Sequence, residues 1–205
     1  DETLEALTDV VRQGKVRYIG CSNFPAYLLM RGLWLSDVRG LSRLDCIQSR
    51  FNILSPGLGR EAIPMCREEG VAVTAYSPMA SGLLTGKHDR SGPSSETKFG
   101  ARDAERGNPL MKRYWHDHTF DTLDALRHVA DESGQPLMRL ALQWVRETPG
   151  VASTIIGARR EDQITSTLDA WQGQASEDVM ARVREIADRH AGNMPMDYPP
   201  PVPAL

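Results

Sequence analysis

The chain has 205 residues, of which 40% are hydrophobic and 25% are charged, with a formal net charge of −3. This length and composition are those of one globular domain with a substantial core. The slight negative charge gives no basic field for a phosphate backbone, so we expect no nucleic-acid partner. No apolar run approaches the roughly 20 residues of a membrane-spanning helix, so we expect no membrane partner either.

The first residues predict a helix, because Leu4, Leu7 and Val11 recur at helical spacing. Gly14 then ends the pattern. The chain has no initial Met and opens directly on this helix, so we expect a piece of a longer protein, without a signal peptide. The chain has three cysteines, Cys21, Cys46 and Cys66, which lack CxxC spacing and lie in apolar surroundings. This pattern predicts reduced thiols in a cytoplasmic protein, and no metal site.

Short apolar runs alternate with amphipathic stretches along the rest of the chain. The runs predict strands covered on both faces, at residues 16–20, 44–48, 71–76 and 153–156. Helical spacing predicts helices at residues 27–38, 59–69, 120–131, 137–146, 161–170 and 176–190. The alternation indicates parallel strands with right-handed crossovers, in a doubly wound sheet or a (β/α) barrel. We expect one domain over residues 1–205, with a long aperiodic loop at 87–118 and a proline-rich tail at 191–205.

Polar and aromatic residues follow all four predicted strands. They are the pair Ser22 and Asn23, then Gln48, then Tyr76 with small residues after it, and finally the segment 157–160. In a (β/α) barrel, ligands bind at this end of the strands. Singly, these residues have simpler explanations, since Ser-Asn before a helix can be an N-cap and two arginines can pair with the acidic residues that follow them. Their recurrence after four consecutive strands favours a binding site.

The residue types suit a dinucleotide. Ser22, Asn23 and Gln48 offer donors and acceptors that can fix a carboxamide, and Tyr76 offers a ring face for stacking. The small residues after Tyr76 let a pyrophosphate approach backbone N–H groups. The segment 157–160 places a glycine and two arginines before a helix, which suits a phosphate monoester. No GxGxxG follows any strand, so a Rossmann site is not expected.

Three stretches, KVRYIGCSNF, AYSPMASGLLTGK and IIGARREDQ, resemble signature segments of the aldo-keto reductases and occur in that family's order. The stretch LALQWVRETPGVASTIIGAR resembles the family's penultimate helix and last barrel strand. The likeness extends from residue 1 to about residue 190. It implies an α/β fold, the (β/α)8 TIM barrel of aldo-keto reductase type, of which this chain contains only the C-terminal half.

The resemblance also implies an NADP(H) site. Ser22, Asn23 and Gln48 would hold the nicotinamide carboxamide, and Tyr76 would lie against the nicotinamide ring. The pyrophosphate would be lined by Ser77, Met79, Ser81, Gly82, Leu83 and Lys87. Arg102 matches a position where the long loop folds over the cofactor.

At the adenosine end, the resemblance places Gly157, Arg159 and Gln163 around the 2′-phosphate, which favours NADP(H) over NAD(H). Thr167 stands where the family usually has an Asn that contacts the adenine. A threonine can still make one hydrogen bond there, but the bidentate contact is lost.

The family's catalytic Asp, Tyr, Lys and His lie on the first four strands of the barrel, so the resemblance assigns no catalytic residue here. We expect an NADP(H)-dependent oxidoreductase that reduces aldehydes or ketones to alcohols, with this chain supplying the cofactor-binding half. Its partners would be a small carbonyl substrate and either the missing N-terminal half or a second copy that closes the barrel.

Two other functions remain open at this point. One is a truncated, non-catalytic NADP(H)-binding or interaction protein that closes its barrel by self-association. The other is a phosphate-binding (β/α) enzyme such as an aldolase, which is disfavoured because no predicted strand contains a lysine for a Schiff base. Tyr114 and Trp115 are candidates for a substrate pocket, although an aromatic pair in a loop is more often local packing.

Overall fold

The computed structural model describes residues 1–93, 97–100 and 108–193, so Arg102 lies outside the described residues. The described strands are β1 (Ile19–Ser22), β2 (Leu44–Arg50), β3 (Ala72–Tyr76) and β4 (Val151–Ile155). The described α-helices are α1 (Glu2–Arg12), α2 (Ala26–Arg39), α3 (Ala62–Glu69), α4 (Pro109–Tyr114), α5 (Asp117–Ser133), α6 (Leu137–Glu147), α7 (Glu161–Gln172) and α8 (Glu177–Asn193). Short 3-10 turns occupy Gly57–Gly59 and Ala80–Thr85.

The four strands form one parallel sheet in the order β1-β2-β3-β4. A doubly wound sheet contains a point where the strand order reverses, and these four described strands contain none. The order is instead that of consecutive strands around a (β/α) barrel. The predicted alternation of parallel strands and helices is therefore confirmed, and the sequential order favours the barrel type.

One face of the sheet packs against helices. Ile47 and Val73 are 0% exposed on that face, where they join a core with Leu29 and Leu33 of α2 and Ile63 of α3. Adjacent residues in a strand point to opposite faces. The other face carries mostly small or polar residues, of which Gly20, Ser22, Gln48, Ala72 and Ser153 are exposed, together with the larger Tyr76 and Ile155 near its carboxyl edge.

Three strands differ from their predicted bounds, and one of them is β4, which spans Val151–Ile155 rather than residues 153–156. Strand β1 begins at Ile19 rather than residue 16 and runs to Ser22, because its first ladder partner is Leu44 and the preceding Tyr18 is 75% exposed. Strand β2 continues to Arg50, so Gln48 lies inside the strand rather than at its end. Apolar runs locate a strand, but hydrogen-bonded pairing with a neighbour sets its limits.

The predicted loop at 87–118 is wrong in part, because it contains helix α4 and the start of α5. Asn108 caps α4, since its side chain accepts a hydrogen bond from Leu110 N at 2.9 Å, and Pro109 occupies the first helical position. Six residues are too few for a recognisable period. The predicted tail is also corrected at its start, because α8 continues to Asn193; residues 194–205 lie outside the described part of the chain.

The three cysteines are unpaired. Burial raises the pKa of Cys66 to about 11. Burial and the neighbouring Cys46 and Cys66 raise the pKa of Cys21 to about 12. Reactive cysteines have a lowered pKa, so these two thiols fit packing roles. Over residues 1–93, 97–100 and 108–193, no helix is both long and apolar enough to cross a membrane.

Candidate nucleotide-binding site

A chain of hydrogen bonds joins the ends of β1, β2 and β3. The Tyr76 hydroxyl donates to Asn23 Oδ1 at 3.0 Å. Asn23 Nδ2 donates to Ser22 Oγ at 3.0 Å, and Ser22 Oγ donates to the backbone oxygen of Gln48 at 2.9 Å. The structure thus brings together all four residues that the sequence predicts at the nicotinamide end, three of them through side chains.

This chain leaves bonding capacity for a ligand. An Asn side chain has two N–H donors and two acceptor lone pairs, and the chain uses one of each on Asn23. Because the single proton of the Ser22 hydroxyl goes to Gln48 O, Ser22 Oγ can only accept from Asn23, so the amide nitrogen must face Ser22 and the orientation of the amide is fixed. Asn23 also has a φ of 57°, in the left-handed region that Asn tolerates. Its side chain is therefore held with one donor and one acceptor available to a carboxamide.

The residues after β3 form a tight turn, here called the β3 turn (residues 77–86), in which the left-handed region recurs. Ser77, Ala80 and Ser81 have φ values of 57°, 48° and 59°, and Gly82 has a φ of 106°. Such a conformation costs a non-glycine residue on the order of 1–3 kcal/mol and persists only where surrounding contacts impose it. Successive N–H groups in turns of this kind form anion-binding concavities.

Asn52 is one of those contacts, and sequence reasoning missed it as a functional residue. It is 0% exposed, and its Nδ2 donates to the backbone oxygen of Ser77 at 2.8 Å. The same Ser77 oxygen accepts from Ala80 N at 3.0 Å. The available signal was an Asn within the apolar segment Phe51–Leu54 after a strand, since a buried polar side chain in such a segment needs hydrogen-bond partners.

Lys87 and His88 lie beside the β3 turn. A Cβ at Gly82 would be 3.4 Å from Lys87 Nζ and 3.8 Å from His88 Nε2, so the glycine leaves space next to a cation. His88 is 4% exposed. Burial lowers the pKa of its imidazole, and the positive charge of Lys87 lowers that pKa further. Its ring packs edge-on against Phe99, with 5.1 Å between centroids. His88 is a second residue near the site that the sequence did not single out.

The two arginines before α7, Arg159 and Arg160, differ in whether their side chains form an ion pair. Arg160 pairs with Asp162 at 2.8 Å, with both side chains well exposed, so the simpler explanation from the sequence is correct for this arginine. No ion pair within the described part of the chain involves Arg159, whose side chain is exposed. Its backbone N–H donates to Gln163 Oε1 at 2.8 Å. A Cβ at Gly157 would meet nothing within 4 Å, which leaves open space beside Arg159.

Pairing of the strands connects the β3 turn to this arginine. Tyr76 pairs with Ile155 across β3 and β4, so Ser77 and the segment from residue 156 leave the sheet side by side. Parallel strands end at the same edge. The groups predicted for the pyrophosphate and for the 2′-phosphate therefore follow adjacent strands at one edge of the sheet.

Burial of Leu83 and an existing hydrogen bond of Thr167 limit the contacts that the sequence predicts for these two residues. Leu83 is 0% exposed in the core, so only its backbone is available to a pyrophosphate. Thr167 is 5% exposed, and its hydroxyl donates to Gln163 O within α7 at 2.6 Å. Because a hydroxyl carries a single proton, Thr167 could only accept a hydrogen bond from an adenine.

The aromatic pair at the end of α4 is packed rather than open. Tyr114 is 1% exposed, and its hydroxyl accepts hydrogen bonds from Asn52 Nδ2 and from Ser55 Oγ, both at 3.3 Å. Trp115 is half-buried against Phe120, with 5.0 Å between ring centroids. Local packing is therefore the correct interpretation of this pair, and the sequence suggestion of a substrate pocket is wrong for Tyr114.

Comparison with known proteins identifies the class. The model of the Aldo/keto reductase family matches residues 1–188. The chain is 34% identical over 188 residues to Protein tas of Escherichia coli (strain K12), which covers 90% of this chain and 52% of that protein. It is 30% identical over 198 residues to the uncharacterized oxidoreductase YrpG of Bacillus subtilis (strain 168), an alignment that covers 97% of this chain and 57% of that protein.

A third relative is the NADH-specific methylglyoxal reductase of Escherichia coli (strain K12), which is 27% identical over 197 residues, covering 91% of this chain and 53% of that protein. The chain thus spans about half the length of the curated relatives it matches. Since the family model covers nearly all of the described sheet and helices, this chain belongs to the aldo/keto reductase family of oxidoreductases.

Proposed function

We propose that this chain supplies the nucleotide-binding part of an NADP(H)-dependent reductase that converts aldehydes or ketones to alcohols. The observation that carries the proposal is the hydrogen-bonded chain from Tyr76 through Asn23 and Ser22 to Gln48. It lies at the carboxyl edge of a parallel sheet, where ligands of (β/α) folds bind. The family assignment supports the same conclusion.

The residues present fit a dinucleotide by their chemistry. Asn23 keeps one donor and one acceptor for the nicotinamide carboxamide, and the anchored ring of Tyr76 offers a flat face beside it. The β3 turn and Lys87 provide N–H groups and a positive charge for the pyrophosphate. Arg159 provides an exposed guanidinium at the start of α7, which suits a phosphate monoester.

The bound nucleotide would supply the hydride, while the residues of this chain hold and orient it. The fixed amide of Asn23 and the anchored Tyr76 ring would present one face of the nicotinamide to the carbonyl carbon. No catalytic acid is assigned among these residues. That role belongs, in this proposal, to the part of the protein that completes the barrel.

We infer that the exposed face of the sheet is the interior of such a barrel. Most of its residues are small or polar, and Gly20, Ala72 and Ser153 are exposed there, as is the larger Ile155 at 40%. Strands β1 and β4 each have one unpaired edge within the described sheet, and such edges are usually paired or covered. Either the rest of the protein or a second copy of this chain would provide the remaining strands.

The test of the function is whether the protein binds NADPH and, as the complete protein, oxidises it when an aldehyde or ketone is added. Binding is measured by titration calorimetry, and turnover by the loss of absorbance of the reduced nicotinamide. Binding without carbonyl-dependent oxidation would support the alternative of a non-catalytic nucleotide-binding protein. An absence of NADPH and NADH binding would reject the proposal.

Replacing Tyr76 with alanine is expected to weaken NADPH binding by about tenfold, because a stacked aromatic face is lost. Tyr76→Phe keeps the ring and removes only the hydrogen bond to Asn23, so a smaller loss is expected. Both dissociation constants are measured by calorimetry, and circular dichroism checks the fold. Unchanged affinity in the alanine variant would mean that the ring only packs against its neighbours.

A further inference from the structure

We propose that Tyr114 and Asn52 are positioning residues, through which helix α4 holds the β3 turn in its left-handed conformation. The link itself is independent of any ligand. Its consequence for nucleotide affinity rests on the function proposed above, because the β3 turn is the segment assigned there to the pyrophosphate. Tyr114 and Asn52 are 62 residues apart in sequence, so the link is a product of the tertiary fold.

The amide of Asn52 bridges the two elements. Its Nδ2 donates one hydrogen to the backbone oxygen of Ser77 at 2.8 Å and lies 3.3 Å from the hydroxyl oxygen of Tyr114. A carbonyl oxygen can only accept, so the contact with Ser77 fixes which end of the Asn52 amide points towards the turn. The second hydrogen of the same Nδ2 is then directed to Tyr114. Asn52 has no exposed surface, so water does not compete for these contacts.

The β3 turn depends on contacts of this kind. Ser77 begins it in the left-handed region, and Ala80 and Ser81 return to that region three and four residues later. Residues with a Cβ adopt this conformation only where their surroundings impose it. Within the turn, Ser77 O is also the acceptor of the Ala80 N–H at 3.0 Å. A shift of Ser77 O would therefore disturb both its contact with Asn52 and the first hydrogen bond of the turn.

Helix α4 is anchored well enough to act on Asn52. Tyr114 ends the helix with its ring buried edge-on near Phe99, at 6.5 Å between centroids. At the other end of α4, Asn108 Nδ2 donates to Phe99 O at 2.6 Å and to Lys98 O at 3.1 Å. The helix and residues 97–100 therefore form one hydrogen-bonded unit. A displacement of this unit would move the Tyr114 hydroxyl away from Asn52.

Hydrogen exchange of the β3 turn tests the link without any nucleotide. Tyr114→Phe keeps the buried ring and removes only the hydroxyl, and we expect amide exchange in residues 77–86 to become about five- to tenfold faster. Ser55→Ala is the matched control. Ser55 Oγ also donates to the Tyr114 hydroxyl at 3.3 Å, but its side chain makes no hydrogen bond with residues 77–86, so unchanged exchange is expected.

In the exchange experiment on the single variants, three results would overturn the link. They are unchanged exchange of residues 77–86 in Tyr114→Phe, acceleration spread evenly over the chain, and equal acceleration in Ser55→Ala. A double-mutant cycle gives a second measure. If Tyr114 acts through Asn52, adding Tyr114→Phe to Asn52→Ala should cause no further acceleration in the turn. Full additivity of the two effects would also overturn the proposal.

The consequence for binding is tested separately with NADPH. Tyr114→Phe is expected to raise the dissociation constant about fivefold, with Ser55→Ala matching the wild-type protein. If the wild-type protein binds no NADPH, the proposed function fails while the exchange result still decides the link. If the wild-type protein binds NADPH and exchange in the turn accelerates but affinity does not change, the link stands and its role in nucleotide binding is rejected.

Discussion

Replacing Gly20 with alanine is expected to lower the free energy of unfolding by about 3 kcal/mol, the upper end of the cost of overfilling a packed site. A Cβ at this position would lie 2.5 Å from Cys46 Sγ and 2.6 Å from Cys46 O. The thiol can rotate away, but the carbonyl oxygen belongs to the backbone of β2, where Cys46 pairs with both Gly20 and Ala72. The two strands must therefore separate locally.

The local separation of β1 from β2 should also disturb the candidate site. Ser22 lies two residues after Gly20 and donates to Gln48 O across the same pair of strands, so nucleotide affinity is expected to fall together with stability. Chemical denaturation measures the stability. Gly57→Ala is the control, because a Cβ at Gly57 would meet nothing within 4 Å, and a change below about 1 kcal/mol is expected. Similar effects of the two substitutions would show that β1 and β2 can adjust to the added methyl group.

Replacing Arg159 with alanine is expected to weaken NADPH binding by about 10- to 100-fold and to leave NADH binding nearly unchanged. The difference arises because only NADPH carries the 2′-phosphate, and a charge-assisted hydrogen bond to a phosphate contributes roughly 1.5–3 kcal/mol. The side chain of Arg159 is exposed at the start of α7, beside the open space at Gly157. Both dissociation constants are measured by calorimetry on the same preparation.

Arg160 offers a closely matched control. It has the same charge and lies one residue further along, but its guanidinium is engaged with Asp162 through Nε and Nη2 at 2.9 and 2.8 Å. Arg160→Ala should therefore change either affinity only a few-fold, as expected for an exposed pair. Equal losses for NADPH and NADH in Arg159→Ala would reject the 2′-phosphate contact.

The sequence predicted the layout of the fold well where the pattern was local. Each of the four predicted strands corresponds to one observed strand, and β3 (Ala72–Tyr76) lies within its predicted range of 71–76. Helices α5 and α8 were also predicted, because each is 17 residues long and carries several apolar residues at helical spacing. Short elements were less predictable. Helix α4 has six residues, and its only local signal is the Asn108–Pro109 start.

The residues of the candidate site were also predictable where the sequence carries a local signal. Ser22, Asn23 and Tyr76 were predicted from their places after apolar runs and from the family motifs, and the structure brings them into one hydrogen-bonded chain. What the sequence could not indicate is which polar groups are already engaged. The hydroxyl of Thr167 donates within its own helix, and of the two adjacent arginines only Arg160 forms an ion pair with another described residue. These differences depend on side-chain rotamers, which the residue types do not specify.

The sequence by itself determined the family and, apart from α4, the order of strands and helices along the chain, because motifs and periodicity are properties of neighbouring residues. It also determined which residue types follow each strand. Only the tertiary structure decided that Asn52 bridges Tyr114 and Ser77, since that contact joins segments 25 and 62 residues apart. Gly20 likewise combines a feature visible in the sequence with a reason that only the tertiary structure supplies. The sequence contains a glycine in an apolar run, but its need follows from the backbone of Cys46, which approaches it only when β1 pairs with β2.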